Sequence, residues 1–138
     1  MKLLLTGATG FVGKQLTLRL LGEGHEVYAL ARNERKADQL LASVPTKLQS
    51  NLTIINGDIS KKQAGVSEEQ MLELKDSIDT VYHIAAFLSF DEEDRELTFE
   101  INLNGTRNML EFSKAINVEN FFHVSTAYTL GNQEHANE

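Results

Sequence analysis

Lys2-Leu3-Leu4-Leu5-Thr6-Gly7-Ala8-Thr9-Gly10-Phe11-Val12-Gly13 opens the chain: an apolar run that ends in three glycines spaced three apart. A helical pattern follows (Leu16, Leu18, Leu20, Leu21), so the stretch reads as strand, tight turn and helix. Gly7 permits a sharp exit from the strand, Gly10 lets backbone approach a pyrophosphate, and Gly13 lets the helix pack close on the strand. The helix N-terminus then meets an anion with free N–H groups. Two residues rather than one separate the first two glycines, a departure from the commonest dinucleotide fingerprint. The triplet alone is equally compatible with an ordinary strand-to-helix turn, and the remaining sequence has to decide.

Gly22-Glu23-Gly24 stops the helix, and His25–Arg32 reads as a second strand, completing a βαβ unit. Asn33 caps a helix over Glu34–Ala42, and Pro45 prevents its continuation. Leu52–Asn56 is a third, β-branched strand followed by Gly57-Asp58. A polar connection, Ile59–Val66, leads to a short helix, Glu68–Leu74, capped by Ser67, and Asp79–Ala86 is the fourth strand. Beyond the acidic run Asp91–Asp94 the pattern predicts one long helix over Glu93–Ile116, with Leu97, Ile101, Met109, Phe112 and Ile116 on one face. Asn120–Ser125 is the fifth strand, and Gly131–Glu138 is a polar tail. Strands nearly continuous in apolar residues, alternating with helices, predict an α/β fold of Rossmann type. Its parallel sheet is doubly wound, in strand order 3-2-1-4-5, truncated after strand 5.

The 138 residues leave room for one domain and five strands. Thirteen basic against 20 acidic side chains give a formal net charge of −7, which argues against a nucleic-acid surface or a basic membrane patch. Cysteine is absent, which excludes disulfide and thiolate chemistry. The first apolar run breaks at Thr6-Gly7, too early for a secretory signal, and no apolar stretch approaches a membrane span. A cytoplasmic protein is expected. The four histidines show no ligand spacing and Asp91–Asp94 lacks a calcium-loop pattern, so no metal site is expected.

Ligands of such sheets bind at the carboxyl ends of the strands, near the switch between strands 1 and 4. The unusual residues of this chain accumulate there. The second strand ends Leu30-Ala31-Arg32, without the acid that binds ribose hydroxyls in NAD sites. Arg32 suits the 2′-phosphate of NADP; its other reading is a solvated surface arginine. Asp58 can bind an adenine amino group or merely shape the turn. Ala85 and Ala86 are small enough for an adenosine to pass, or for a helix to pack. His83 is read as a structural strand-end histidine in preference to an acid or base. Gly105 permits close packing of the long helix on the sheet. Asn102 orders the backbone near a catalytic tyrosine or satisfies a local backbone group. Ser125 and Thr126 place hydroxyls where a substrate carbonyl would meet a nicotinamide. The expected cofactor is NADP, with NAD as the alternative.

Thr6–Gly13, Gly57-Asp58, His83-Ile84-Ala85-Ala86, Asn102–Asn108 and Val124-Ser125-Thr126-Ala127-Tyr128, in that order, resemble the extended short-chain dehydrogenase/reductases, the family of NAD-dependent epimerase/dehydratase-like proteins. Ser-Thr-Ala-Tyr looks most like the branch of fatty acyl-CoA reductases and carboxylic acid reductases. The resemblance implies cofactor contacts at Thr6, Gly7, Thr9, Gly10, Phe11, Val12, Gly13, Arg32, Asp58, Ile59, Ala85 and Ala86. It implies catalytic roles for Ser125, Thr126 and Asn102 in hydride transfer between NADP(H) and a carbonyl or alcohol carbon, with an acyl thioester among the candidate substrates. A tyrosine with a nearby lysine would pass the proton. Here the chain departs from the family: four residues after Tyr28, Tyr82 and Tyr128 stand Arg32, Ala86 and Asn132, so no Tyr-x-x-x-Lys exists. Residues 1–138 are therefore expected to be the N-terminal NAD(P)-binding part of a longer reductase, inactive alone, without the catalytic helix and the substrate domain. The alternatives are part of a nucleotide-sugar epimerase or dehydratase and a non-catalytic NADP-sensing module. Phe121, Phe122 and Val124 on an edge strand lead to an expectation of self-association.

Overall fold

The computed structural model describes residues 1–85 and 92–124. β1 (Lys2–Thr6) is the centre of a five-stranded parallel sheet, joined by β2 (Glu26–Ala31), β3 (Leu52–Asn56), β4 (Thr80–His83) and β5 (Asn120–His123) in the expected order β3-β2-β1-β4-β5. In register, Leu4 lies beside Tyr28 on one side and Val81 on the other. Alternation along β1 feeds two cores. Leu4, with Leu30, Ile55 and Val81, packs on Met109 and Phe112 of α5 (Gly105–Ala115) and on Ile116. Leu3 and Leu5, with Val27 and Ala29, pack on Leu20 and Leu21 of α1 (Phe11–Gly22) and Leu40 of α2 (Glu34–Ser43). Burial on both faces is why β1 reads as a continuous apolar run, each fully buried leucine contributing about 1.5–3 kcal/mol.

Both expected caps are in place. The Asn33 side chain accepts the Lys36 N–H at 3.1 Å, and the Ser67 hydroxyl accepts the Gln70 N–H at 3.2 Å at the start of α3 (Glu68–Leu74). Strands 4 and 5 are shorter than their apolar runs: Ile84 and Ala85 leave β4, and Val124 leaves β5. Ala86 and Ser125 lie outside the described residues.

The single long helix expected over Glu93–Ile116 is not formed. A 3₁₀ turn (Glu92–Asp94) precedes α4 (Arg95–Phe99), and a π-helical turn (Glu100–Asn104) separates it from α5. Asn102, Asn104, Gly105 and Thr106 are weak helix formers, and the Thr106 hydroxyl donates to the Asn102 carbonyl at 2.8 Å, a local bond that competes with a regular ladder. Of the expected apolar face, only Met109, Phe112 and Ile116 reach the core, while Leu97 is 44% exposed. Gly105 is also needed for a different reason from the one its position suggested. A Cβ there would lie 2.9 Å from Ile59 Cδ1, so the glycine admits the loop after β3 rather than the sheet. That loop contains a turn, Lys62–Gly65, through left-handed backbone at Gln63 (φ 53°), Ala64 (φ 55°) and Gly65 (φ 63°).

Candidate functional site

A cavity of about 640 Å³ opens at the carboxyl ends of β1 to β4, within the size range of small-molecule sites (~300–1,000 Å³). Its floor is the glycine turn. Gly7 stands at φ +72°, and a Cβ on it would meet the Ala85 nitrogen at 2.7 Å, so strand 1 and the exit of β4 touch through backbone. A Cβ on Gly13 would fall 1.8 Å from the Gly7 carbonyl oxygen, which brings α1 directly onto the turn. The Gly10 N–H donates to Gly7 O (3.1 Å) and Gly10 O accepts from Lys14 (2.9 Å). Phe11, Val12 and Gly13 are the first helical residues, so their N–H groups lack acceptors in the helix. Gly10 at the cap has no side chain to satisfy them. Thr9 and these residues line the cavity, presenting donors and the positive end of the helix to an anion.

At the end of β2, exposed Arg32 lines the cavity together with Asn33 and Lys36. Lys36 was not singled out from sequence. Its signal is the spacing Arg32-x-x-x-Lys36, which with a cap at Asn33 puts a second cation in the first turn of α2. Asp58 lines the end of β3, where its Oδ1 accepts both the Ser60 N–H (2.9 Å) and the Ser60 hydroxyl (2.7 Å). This is the turn-shaping reading, and it leaves Oδ2 of the same carboxylate uncommitted to Ser60. Partial burial pushes the Asp58 carboxyl up, but the Ser60 bonds and the nearby Arg32 and Lys61 outweigh it and hold the group below the usual aspartate range. It is ionised at neutral pH.

The remaining lining includes the apolar residues Ile59, Ile84, Ala85 and Ile101. Ile59 is itself fixed by the Asn108 side chain, which donates to its carbonyl at 2.8 Å. Asn102 sits exposed in the π-helical turn beside Ile101 and outside the cavity lining. Ala86, Ser125 and Thr126 lie outside the described residues. His83 is buried on the α5 face, as a structural histidine should be, with Thr6 and Thr106 on its two ring nitrogens. Burial, and secondarily the neighbouring His123, lower its pKa to about 4.

A glycine turn, a helix N-terminus and two cations surround one cavity at the switch point of a 3-2-1-4-5 sheet, and together they define a dinucleotide-binding α/β protein. The chain belongs to the Male sterility protein family (NAD_binding_4), whose model matches residues 5–138. It is thus an NAD(P)-binding domain. It is 31% identical, over 97% of its length, to the fatty acyl-CoA reductase wat of Drosophila melanogaster, and covers 29% of that protein. Among solved structures, the terminal R domain of the myxalamid PKS-NRPS pathway is 28% identical with a TM-score of 0.79. Ninety-one per cent of the chain aligns to 34% of that domain. Yeast methylglyoxal/isovaleraldehyde reductase Gre2, complexed with NADPH, is 27% identical with a TM-score of 0.77, covering 91% of the chain and 37% of Gre2. The chain therefore spans about a third of the length of these relatives. No helix among the described residues is long and apolar enough to cross a membrane.

Proposed function

We propose that this domain binds NADP(H) for a longer, cytoplasmic enzyme that delivers hydride to an acyl thioester. Arg32 just after β2 and Lys36 in the first turn of α2, on a cavity floored by Gly7 and Gly10, carry the cofactor assignment. A guanidinium where NAD sites place a carboxylate, with an ammonium one helical turn on, favours a 2′-phosphate over a free ribose hydroxyl. Pyrophosphate takes the N–H groups of Phe11 to Gly13, and adenine lies toward Asp58, Ile59 and Ala85. The fatty acyl-CoA reductase relatives support the substrate class, with Ser125 and Thr126 assigned to hold the carbonyl oxygen and Asn102 to order backbone. These relatives do not favour the epimerase or sensor alternatives. The proton donor is assigned to the longer protein, because no Tyr-x-x-x-Lys occurs in these 138 residues.

Titration of NADPH and NADH against the wild type and Arg32→Ala tests the cofactor reading. A charge-assisted contact of this kind contributes roughly 1.5–3 kcal/mol, so NADPH is expected to bind about ten- to a hundredfold tighter, with most of the preference lost in the variant. Equal wild-type affinities, or a preference that survives the substitution, would overturn it.

A further inference from the structure

Three hydroxyl and imidazole groups on the α5 face of the sheet form a line whose hydrogen-bond direction is fixed. Thr6 Oγ1 accepts two backbone N–H groups, from Ile84 at 3.0 Å and from Ala85 at 3.1 Å. A hydroxyl has two lone pairs and one proton, so its proton is left for the remaining contact, His83 Nδ1 at 2.7 Å. Nδ1 is therefore the bare nitrogen and Nε2 carries the hydrogen. Nε2–H reaches Thr106 Oγ1 at 3.1 Å, and the Thr106 hydroxyl, receiving that bond, spends its own proton on the Asn102 carbonyl at 2.8 Å. Every donor and acceptor in the line has one assignment that satisfies all of them.

Both ends of this line reach the lining of the cavity, at Thr6 and Ala85 beside Gly7 and at Ile101 on the π-helical turn that ends the line. We propose that His83 is a positioning residue: locked as the Nε2–H tautomer, it couples the glycine turn that receives the dinucleotide to the π-helical turn of Glu100–Asn104. The ring is buried and stacked on His123 with centroids 5.4 Å apart, and the proton assignments of Thr6 and Thr106, not the stacking, select the tautomer. Loss of either threonine hydroxyl leaves an unpaired nitrogen in a buried site and releases one wall from the other. In this scheme the π-helical turn is an adjustable wall whose position is set from strand 1. The coupling to cofactor affinity rests on the NADP(H) reading above; the coupling between the walls does not.

The test has one arm without cofactor and one with it. In the ligand-free 138-residue protein, long-range ¹H–¹⁵N correlation should show His83 as the Nε2–H tautomer, and the Nδ1–H tautomer would overturn the proposal. Thr106→Val should shift the amide resonances of Ile84 and Ala85, across the ring from the substitution, and Thr106→Ser should restore them. Unshifted amides in a folded Thr106→Val would also overturn it. In the second arm, Thr106→Val should weaken NADPH binding about three- to tenfold, the loss expected for one net hydrogen bond, with rescue by Thr106→Ser. Wild-type affinity in Thr106→Val would sink the coupling to the cofactor. A wild type that binds no dinucleotide would instead overturn the proposed function, with the tautomer and amide results still deciding whether the walls are coupled.

Discussion

Gly13 carries the tightest steric demand among the described glycines, since the methyl of an alanine there would overlap the Gly7 carbonyl oxygen at 1.8 Å. Neither partner is a movable side chain; both are backbone. Gly13→Ala is therefore expected to destabilise by at least about 3 kcal/mol, at the upper end of overpacking penalties, and to abolish dinucleotide binding. A urea midpoint within error of the wild type would refute this. His83 gives a second prediction at this scale. Burial, then His123, holds its folded pKa near 4 against 6.5 when free. Between those values the unfolded chain binds a proton that the folded chain refuses, so stability falls as pH drops from about 6.5 toward 4, by on the order of 3 kcal/mol in full. His83→Gln cannot titrate, and urea unfolding at pH 7 and pH 5 should show its stability changing less with pH than that of the wild type. Gly7, Gly10 and Gly13 were legible in the sequence because their demand is local, a turn that no side chain can enter. Thr106 was not, because its partner His83 is 23 residues away and only the fold brings them together.

At the scale of elements, the turn after β3 is the conspicuous irregularity. Gln63 is exposed and holds φ at +53°, a conformation that costs an L-residue about 1–2 kcal/mol. Glycine has no such penalty but loses about 0.5–1 kcal/mol through the freedom of its unfolded chain. Gln63→Gly should therefore raise stability by roughly 0.5–1 kcal/mol, seen as a higher urea midpoint with an unchanged slope. A lower midpoint would mean that the Gln63 side chain stabilises the turn. Caps and central strands could be read directly: Asn33 and Ser67 act on amides three residues away, and β3 matches its apolar run from Leu52 to Asn56. The segment 92–116 could not. Its apolar spacing fits one helix, whereas its actual path is decided by Ile59 filling the space beside Gly105 and by the Thr106 hydroxyl, both invisible to periodicity.

Across the whole molecule, β5 forms one border of the sheet, with its outer row of N–H and C=O groups unpaired to any strand among the described residues. Phe122 and Val124 are 52% and 49% exposed there, and Phe122 stacks on Tyr82 at 5.3 Å, continuing the apolar surface onto β4. Such a border is a template for another chain, so the 138-residue protein should associate with rising concentration, and Val124→Lys should suppress it. Light scattering that gives a monomer throughout, for the wild type, would contradict this. β1 has the opposite position, and the order of assembly follows from it. Its pairing with β2 needs only the first 31 residues, but its other side stays open until β4 arrives, Thr6 and His83 being 77 residues apart. In chain order β1, β2 and β3 can therefore pair first, as a half-sheet whose most apolar strand has one bare side until β4 follows. Closure of that side is the slow, high-contact-order step, and it sets the interval over which a nascent chain can be captured by a chaperone or by a second copy of itself.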